Sequence, residues 1–198
     1  MNSRCARKCL VRTTYNINYR LFPSSFVDNR IMARIPYPST NDKDSASAGK
    51  PVPNILKLLS HSSATVKHWG AVGGAQFSQF ALSKKNRELL VLLTTAKFGS
   101  AYEWTHHVAL SAKVGVTDEQ RQSLADAGKA TGYFSNVKAG FTDTEILFLQ
   151  FLESVIDTGD VSDDLLAQMR KAFSDREIVE IISMQACFAR SAFWPVLR

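Results

Sequence analysis

Cysteine is scarce in this chain of 198 residues, which contains only Cys5, Cys9 and Cys187. An odd number of scattered cysteines does not make the paired disulfide framework of a small secreted protein. Cys-x-x-Cys is absent, and Cys187 stands alone in an apolar stretch where a buried, inert thiol is expected. The cysteine pattern therefore predicts a reducing compartment and a chemistry that does not depend on thiols.

Long apolar runs and a basic body are also lacking. No run approaches the roughly 18 apolar residues that cross a bilayer, so no membrane partner is expected. The net charge of +6 is confined to residues 1–35, which hold seven Lys and Arg and one acid, whereas residues 36–198 hold 17 charges of each sign. A neutral body lacks the basic face that nucleic-acid binding requires, so no nucleic-acid partner is expected either.

The first 27 residues contain no acid and are rich in Arg, Ser, Thr and Asn. This composition is typical of a mitochondrial transit peptide. The alternative is an upstream extension, with Met32 as a working start. Both interpretations place residues 1–31 outside the fold, and they leave the mitochondrial matrix and the cytoplasm as the expected locations.

Proline and small polar residues mark the next boundary. Residues 32–53 carry four of the six prolines and the polar run STNDKDSASAGK, which predicts an arm or linker. Residues 54–198 are expected to form one helical domain.

Apolar periodicity in this domain indicates helices, and no convincing alternating strand pattern appears, so the fold class is all-α. Three S/T-x-x-E/Q signatures precede apolar runs and predict capped helix starts at Thr117, Thr142 and Ser174. The predicted helices are Asn54–Ser60, Ala64–Trp69, Gly74–Leu82, Lys85–Phe98, Ser100–Val114, Thr117–Ala127, Phe141–Thr158, Asp163–Phe173 and Asp175–Trp194.

Motifs for nucleotides, cofactors and hydrolytic serines are missing. The chain has no G-x-G-x-x-G, no Walker A sequence and no G-x-S-x-G, so no cofactor is expected. Glu103-x-x-His106 has the spacing found in di-iron bundles, but those proteins need a second copy of the motif, and this chain has none. No metal is therefore expected.

Polar chemistry is concentrated in the segment Ser100–His107. On a helix, Glu103 lies three residues before His106 and four before His107, so it can touch either imidazole. A carboxylate beside an imidazole fixes its tautomer and makes a proton-transfer pair, with His107 as acid or base and Glu103 as its orienter. The competing interpretation is that Ser100-x-x-Glu103 is a capping box and that both histidines are surface residues.

At this segment the chain resembles the carboxymuconolactone decarboxylase family, which includes the alkylhydroperoxidase D-like proteins. The resemblance spans roughly residues 32–190. It is carried, in chain order, by IPYP at 35–38, KNRELLVLL at 85–93, YEWTHH at 102–107, FTDTE at 141–145 and FSDREIVE at 173–180.

The resemblance implies an all-α fold that assembles into homo-oligomers, as trimers or hexamers. The peroxidase branch of the family carries Cys-x-x-Cys-x-x-x-His on its central helix. Ser100 and Glu103 stand at the two cysteine positions here, and His107 matches the histidine. The resemblance therefore implies a thiol-free decarboxylase, with His107 and Glu103 as catalytic residues and His106 and Tyr102 as substrate-binding residues.

The expected function is decarboxylation of a small unsaturated lactone- or keto-acid. Two alternatives stay open: an isomerase or tautomerase of a cyclic polyketide or lactone, and an inactive oligomeric binding or scaffold protein. An enclosed cavity containing Glu103 and His107 would favour an enzyme. Exposure of both residues, with Glu103 acting as a cap, would favour a scaffold.

Overall fold

A computed structural model describes residues 35–38, 54–138 and 140–191, with side chains through Ala189. This part of the chain is all-α and contains no strand, as predicted. The transit-peptide hypothesis and most of the predicted arm lie outside the described residues. None of the described helices is long and apolar enough to cross a membrane.

Eight α-helices and one 3-10 turn follow each other along the described chain. The α-helices are α1 (Asn54–Leu59), α2 (Ser63–Ser78), α3 (Lys84–Lys97), α4 (Ala101–Lys113), α5 (Asp118–Ala127), α6 (Asp143–Asp157), α7 (Asp163–Ala172) and α8 (Asp175–Ser191), and the 3-10 turn is Tyr133–Ser135.

Helix α3 is the centre of the fold. Its residues 89–93 are all fully buried, because the sequence LLVLL offers an apolar side chain on every face of the helix. Helices α4, α5, α6 and α8 surround it. The helix that holds this fully buried run leads directly into the Ser100–His107 segment.

Reciprocal side-chain bonds fix three helix starts at the predicted positions. In each case the hydroxyl accepts from the backbone N–H three residues later, and the Glu or Gln at that position accepts from the backbone N–H of the hydroxyl residue. The pairs are Thr117 with Gln120, Thr142 with Glu145, and Ser174 with Glu177. Each box satisfies two backbone donors that a helix start leaves unpaired.

One prediction of the helix pattern is wrong. The segments Ala64–Trp69 and Gly74–Leu82 are not separate helices, because α2 runs unbroken through Gly70, Gly73 and Gly74. Glycine lowers helix propensity by about 1 kcal/mol but does not end a helix by itself. The far end of α2 is also secured, since Arg87 donates to the carbonyls of Gln76 and Phe77, which a helix C-terminus leaves unpaired.

Helix α2 packs far less than its neighbours. Gln76 is its one buried residue, although the helix is rich in Ala, Val, Trp and Phe. Val72 is 47% exposed and Phe77 is 41% exposed. Its main helical neighbour is the short helix α1. The described part of the chain thus leaves much of this apolar helix uncovered.

Two sets of contacts hold the C-terminal end of α3 to the rest of the core. The ammonium of Lys97 lies 2.8 Å from a carboxylate oxygen of both Glu153 and Asp157, and all three side chains are almost fully buried. At the end of α5, Gly128 approaches α3 so closely that a Cβ built on it would lie 2.8 Å from backbone atoms of Ala96.

Candidate functional site

The four predicted site residues come together on the wall of one cavity. Tyr102, Glu103, His106 and His107 occupy the first two turns of α4 and line a cavity of about 600 Å³. Glu103 is 9% exposed and His107 is 6% exposed, whereas His106 is exposed. The structure thus places the two predicted catalytic residues inside and His106 at the more open side.

The opposite walls of the cavity are largely apolar. Helix α2 contributes Trp69, Gly73 and Phe77, and α8 contributes Cys187 and Phe188. Helix α1 adds residues 54–57 and 59. An apolar lining lowers the local polarity and so strengthens electrostatic interactions with the polar groups that it surrounds.

The carboxylate partner of His107 Nδ1 is Glu88, a residue to which the sequence analysis gave no role. Glu88 Oε2 lies 2.8 Å from His107 Nδ1, and both side chains are buried. Glu88 lies on α3 and His107 on α4, and a short link joins the two helices. In this link Gly99 has a φ of +67°, a left-handed conformation that suits glycine. The carboxylate that contacts this nitrogen is therefore Glu88 and not Glu103.

A signal for Glu88 was present in the sequence. It stands directly before the apolar run at residues 89–93, in a helix predicted to be buried. A buried carboxylate requires a hydrogen-bond partner, so the burial of Glu88 implies that it has one. The spacing along one helix could not identify that partner, because His107 lies 19 residues away on another helix.

Two aromatic rings hold the imidazole of His107 in place. The ring of Phe77 lies roughly parallel to it, with centroids 6.0 Å apart, and the ring of Phe188 meets it edge-on at 5.3 Å. An ionised carboxylate only accepts hydrogen bonds, so the tautomer of His107 that suits an ionised Glu88 carries its proton on Nδ1. Nε2 has no hydrogen-bond partner among the described residues and is left for a ligand in the cavity.

The capping interpretation of Ser100 and Glu103 is not supported by the geometry. Ser100 is the N-cap of α4, but its side chain accepts no cap hydrogen bond. Its hydroxyl is buried and has no hydrogen-bond partner. Glu103 and His107 are both buried on the cavity wall, so the exposure of both residues that would favour a scaffold is not observed.

Tyr102 and His106 form a second pair on the adjacent face of α4. Their rings meet edge-to-face with centroids 4.5 Å apart, as their four-residue spacing predicts. Both line the cavity, so each can present a hydrogen-bonding group to a ligand.

A second cavity of about 230 Å³ is lined by Glu88, Phe77, Lys84 and Lys113, among others. Glu88 is thus a wall residue of this smaller cavity and also the partner of a residue in the larger one. In the part of the chain that the structure describes, no three His, Cys, Asp or Glu side chains come together as metal ligands.

Residues 64–145 match the family model of the carboxymuconolactone decarboxylase family. This segment is a carboxymuconolactone decarboxylase family domain. The matched residues run from the start of α2 to the first turn of α6 and include Glu88, Tyr102, Glu103, His106 and His107. No curated protein matches the chain.

The match of this segment to the carboxymuconolactone decarboxylase family suggests decarboxylation or a related activity, and the all-helical structure agrees with the match. Not all of the cavity belongs to the matched segment. Helix α1 precedes it, and Cys187 and Phe188 follow it by some 40 residues of sequence. The matched segment therefore contains Glu88, Glu103 and His107 but only part of the cavity wall around them.

Proposed function

We propose that the domain decarboxylates a small unsaturated lactone- or keto-acid without a cofactor, with His107 as the general acid–base. The observation that carries this proposal is the buried His107–Glu88 pair, joined at 2.8 Å, on the wall of an apolar cavity. A positioned imidazole of this kind contributes about 10²–10⁴-fold to a proton-transfer step.

The reaction needs three things from the cavity. The apolar lining from Trp69, Phe77 and Phe188 disfavours a bare carboxylate and so promotes its loss as CO₂. The electron pair left by the broken C–C bond moves into the conjugated carbonyl and gives an enolate. Tyr102 and His106 are proposed to donate hydrogen bonds to the enolate oxygen, where negative charge develops.

Reprotonation at carbon completes the turnover. Protonated His107 delivers the proton from Nε2, while Glu88 keeps Nδ1 protonated and the ring oriented. One proton is consumed and one CO₂ is released, so His107 takes up a new proton from solvent before the next cycle. Glu103, buried on the same wall, is proposed as a second acid–base group of the cavity.

An isomerase remains a second candidate because of one specific observation. Glu103 and His107 are two acid–base side chains one helical turn apart in the same cavity. One can remove a proton from a carbon while the other returns a proton to a different carbon of the same substrate. That reaction shifts a double bond without loss of CO₂.

Mass spectrometry of products from a panel of unsaturated keto- and lactone-acids tests the proposal. Decarboxylation removes the mass of CO₂ from the substrate, whereas isomerisation leaves the mass unchanged and shifts the ultraviolet spectrum. The His107→Ala variant should lose about 10²–10⁴-fold in turnover, and a loss of less than tenfold would refute the assignment of His107.

We also propose that the domain forms a homo-oligomer, a trimer or a hexamer, through α2. The support is the exposed apolar surface around Val72 and three glycines, Gly70, Gly73 and Gly74, at which an added Cβ would meet no atom within 4 Å. Light scattering should give a mass of three or six chains. Val72→Glu should shift that mass toward the monomer, and Lys67→Glu on the same exposed helix is the control.

A further inference from the structure

The Ile35–Pro38 segment, which precedes the helical domain, lies against α1 at the edge of the larger cavity. His61 Nε2 lies 2.8 Å from the carbonyl oxygen of Pro36. The ammonium of Lys57 lies 5.8 Å from the centre of the Tyr37 ring, within the range of a cation–π interaction. One contact from α1 and one from the turn that follows it thus reach this short segment.

Lys57 is half-buried and lines the cavity. It is the one permanently cationic side chain among the described residues of the lining, and no described acid forms an ion pair with it. The carboxyl group of Glu103 lies on the same lining. An anionic ligand that enters this apolar space beside Glu103 requires a compensating positive charge.

We propose that Lys57 binds the anionic group of the substrate and that Tyr37 positions its ammonium. The ring of Tyr37 covers one side of the ammonium, and the remaining N–H donors are available to a carboxylate. This inference rests on the proposed function, since it names the anionic class of the substrate for the same cavity. It adds two residues, Tyr37 and Lys57, that lie outside the segment matched by the family.

An ion pair with Lys57 acts on binding of the substrate. The carboxylate that it holds is the group lost as CO₂, so the ion pair stabilises the bound substrate more than the transition state, in which that charge moves away. Lys57→Met should therefore raise KM without lowering kcat, whereas a change at His107 should lower kcat.

Binding of cinnamate and of its uncharged methyl ester, measured by calorimetry on the full chain, tests Lys57 without relying on turnover. The wild-type protein should bind the acid about tenfold more tightly or better, as expected of a hydrogen bond to a charged group. Lys57→Met should abolish this preference, and Lys57→Arg should keep most of it. Tyr37→Ala should weaken acid binding by about two- to fivefold, the range of an exposed cation–π contact.

Lys67→Met, which removes an exposed lysine of α2 outside the cavity lining, is the matched control and should bind both probes like the wild type. Equal affinity of the wild-type protein for acid and ester, or a preference that survives Lys57→Met, would overturn the assignment. His107→Gln should keep the preference for the acid. If His107 proves dispensable for turnover, the proposed function fails while the assignment of Lys57 stands.

Discussion

Replacing Glu88 with glutamine tests whether the buried pair, rather than His107 alone, carries the proton transfer. A hydrogen bond to a charged group contributes about 1.5–3 kcal/mol, against about 0.5–1.5 kcal/mol for a neutral one. At 2.8 Å and with both side chains buried, the bond to His107 Nδ1 belongs to the first class. Glu88→Gln should therefore cost about 1–2 kcal/mol in the transition state, or about five- to thirtyfold in kcat.

Steady-state kinetics on the substrate found by product analysis measures this loss. Glu88→Ala should cost more than Glu88→Gln, because it leaves His107 Nδ1 with no partner at all. Because Glu88 acts through the imidazole, adding Glu88→Gln to His107→Ala should produce no further loss. Residues that work as one unit show such non-additivity.

Glu103→Gln is the matched comparison, since it removes the other buried carboxylate near His107 by the same isosteric change. Suppose that Glu88→Gln left kcat within twofold of the wild type while Glu103→Gln lowered it strongly. Glu103 would then be the orienter, and the argument from the 2.8 Å contact of Glu88 would be refuted. Additive losses from Glu88→Gln and His107→Ala would equally contradict a role that acts through His107.

Three further predictions concern stability, each read from urea or thermal unfolding. Gly128→Ala should destabilise the fold by about 1–3 kcal/mol, because the new methyl group meets backbone atoms of α3. Gly74→Ala, which has open space around it, should instead stabilise α2 by up to about 1 kcal/mol. Equal effects of the two substitutions on the free energy of unfolding would contradict the geometry. Lys97→Met should lower the free energy of unfolding by about 3–5 kcal/mol, since it leaves the buried carboxylates of Glu153 and Asp157 without their cation. A change below about 1 kcal/mol would show that these carboxylates are hydrated. Burial raises the pKa of Glu145, but its bonds to the Lys85 ammonium and to backbone N–H outweigh burial and hold that pKa below 4.5. This carboxylate therefore stabilises the fold above pH 4.5, and the stabilisation is lost as the pH falls through the lowered pKa. Glu145→Gln should flatten this part of the acid unfolding curve.

Local signals in the sequence were sufficient for most of the helices. Capping boxes and apolar periodicity depend on residues within a few positions of each other, so the starts at Thr117, Thr142 and Ser174 could be predicted and are confirmed. The helix bounds agree to within one or two residues for α3 through α7. The prediction wrongly divided α2 into two helices, because its three glycines are typical of a turn. The hydrogen bonds from Arg87 to the carbonyls of Gln76 and Phe77, which secure the end of this helix, could not be known from the sequence.

The candidate site was predictable only along one helix. The spacing of Glu103 and His107 placed both on α4, and the structure finds both buried on one cavity wall, which agrees with the prediction without testing their catalytic roles. Glu88 and Lys57 could not be assigned in the same way. Their places at the site depend on how α3 and α1 pack against α4 and the Ile35–Pro38 segment, and these contacts join residues far apart in the sequence.

The cavity has one well-packed wall, formed by α4 against α3, and one loosely packed wall, formed by α2. Glu88 lies on α3, whose residues 89–93 are fully buried, and His107 lies on α4, which packs against α3, so we expect their backbone amides to exchange mainly through global unfolding. Trp69, Gly73 and Phe77 lie on α2, whose amides should exchange through local opening at a much lower free energy. A ligand that contacts both sides binds only the closed form and protects α2 by linkage. We therefore expect the binding free energy of a substrate to be reduced by the free energy of ordering α2.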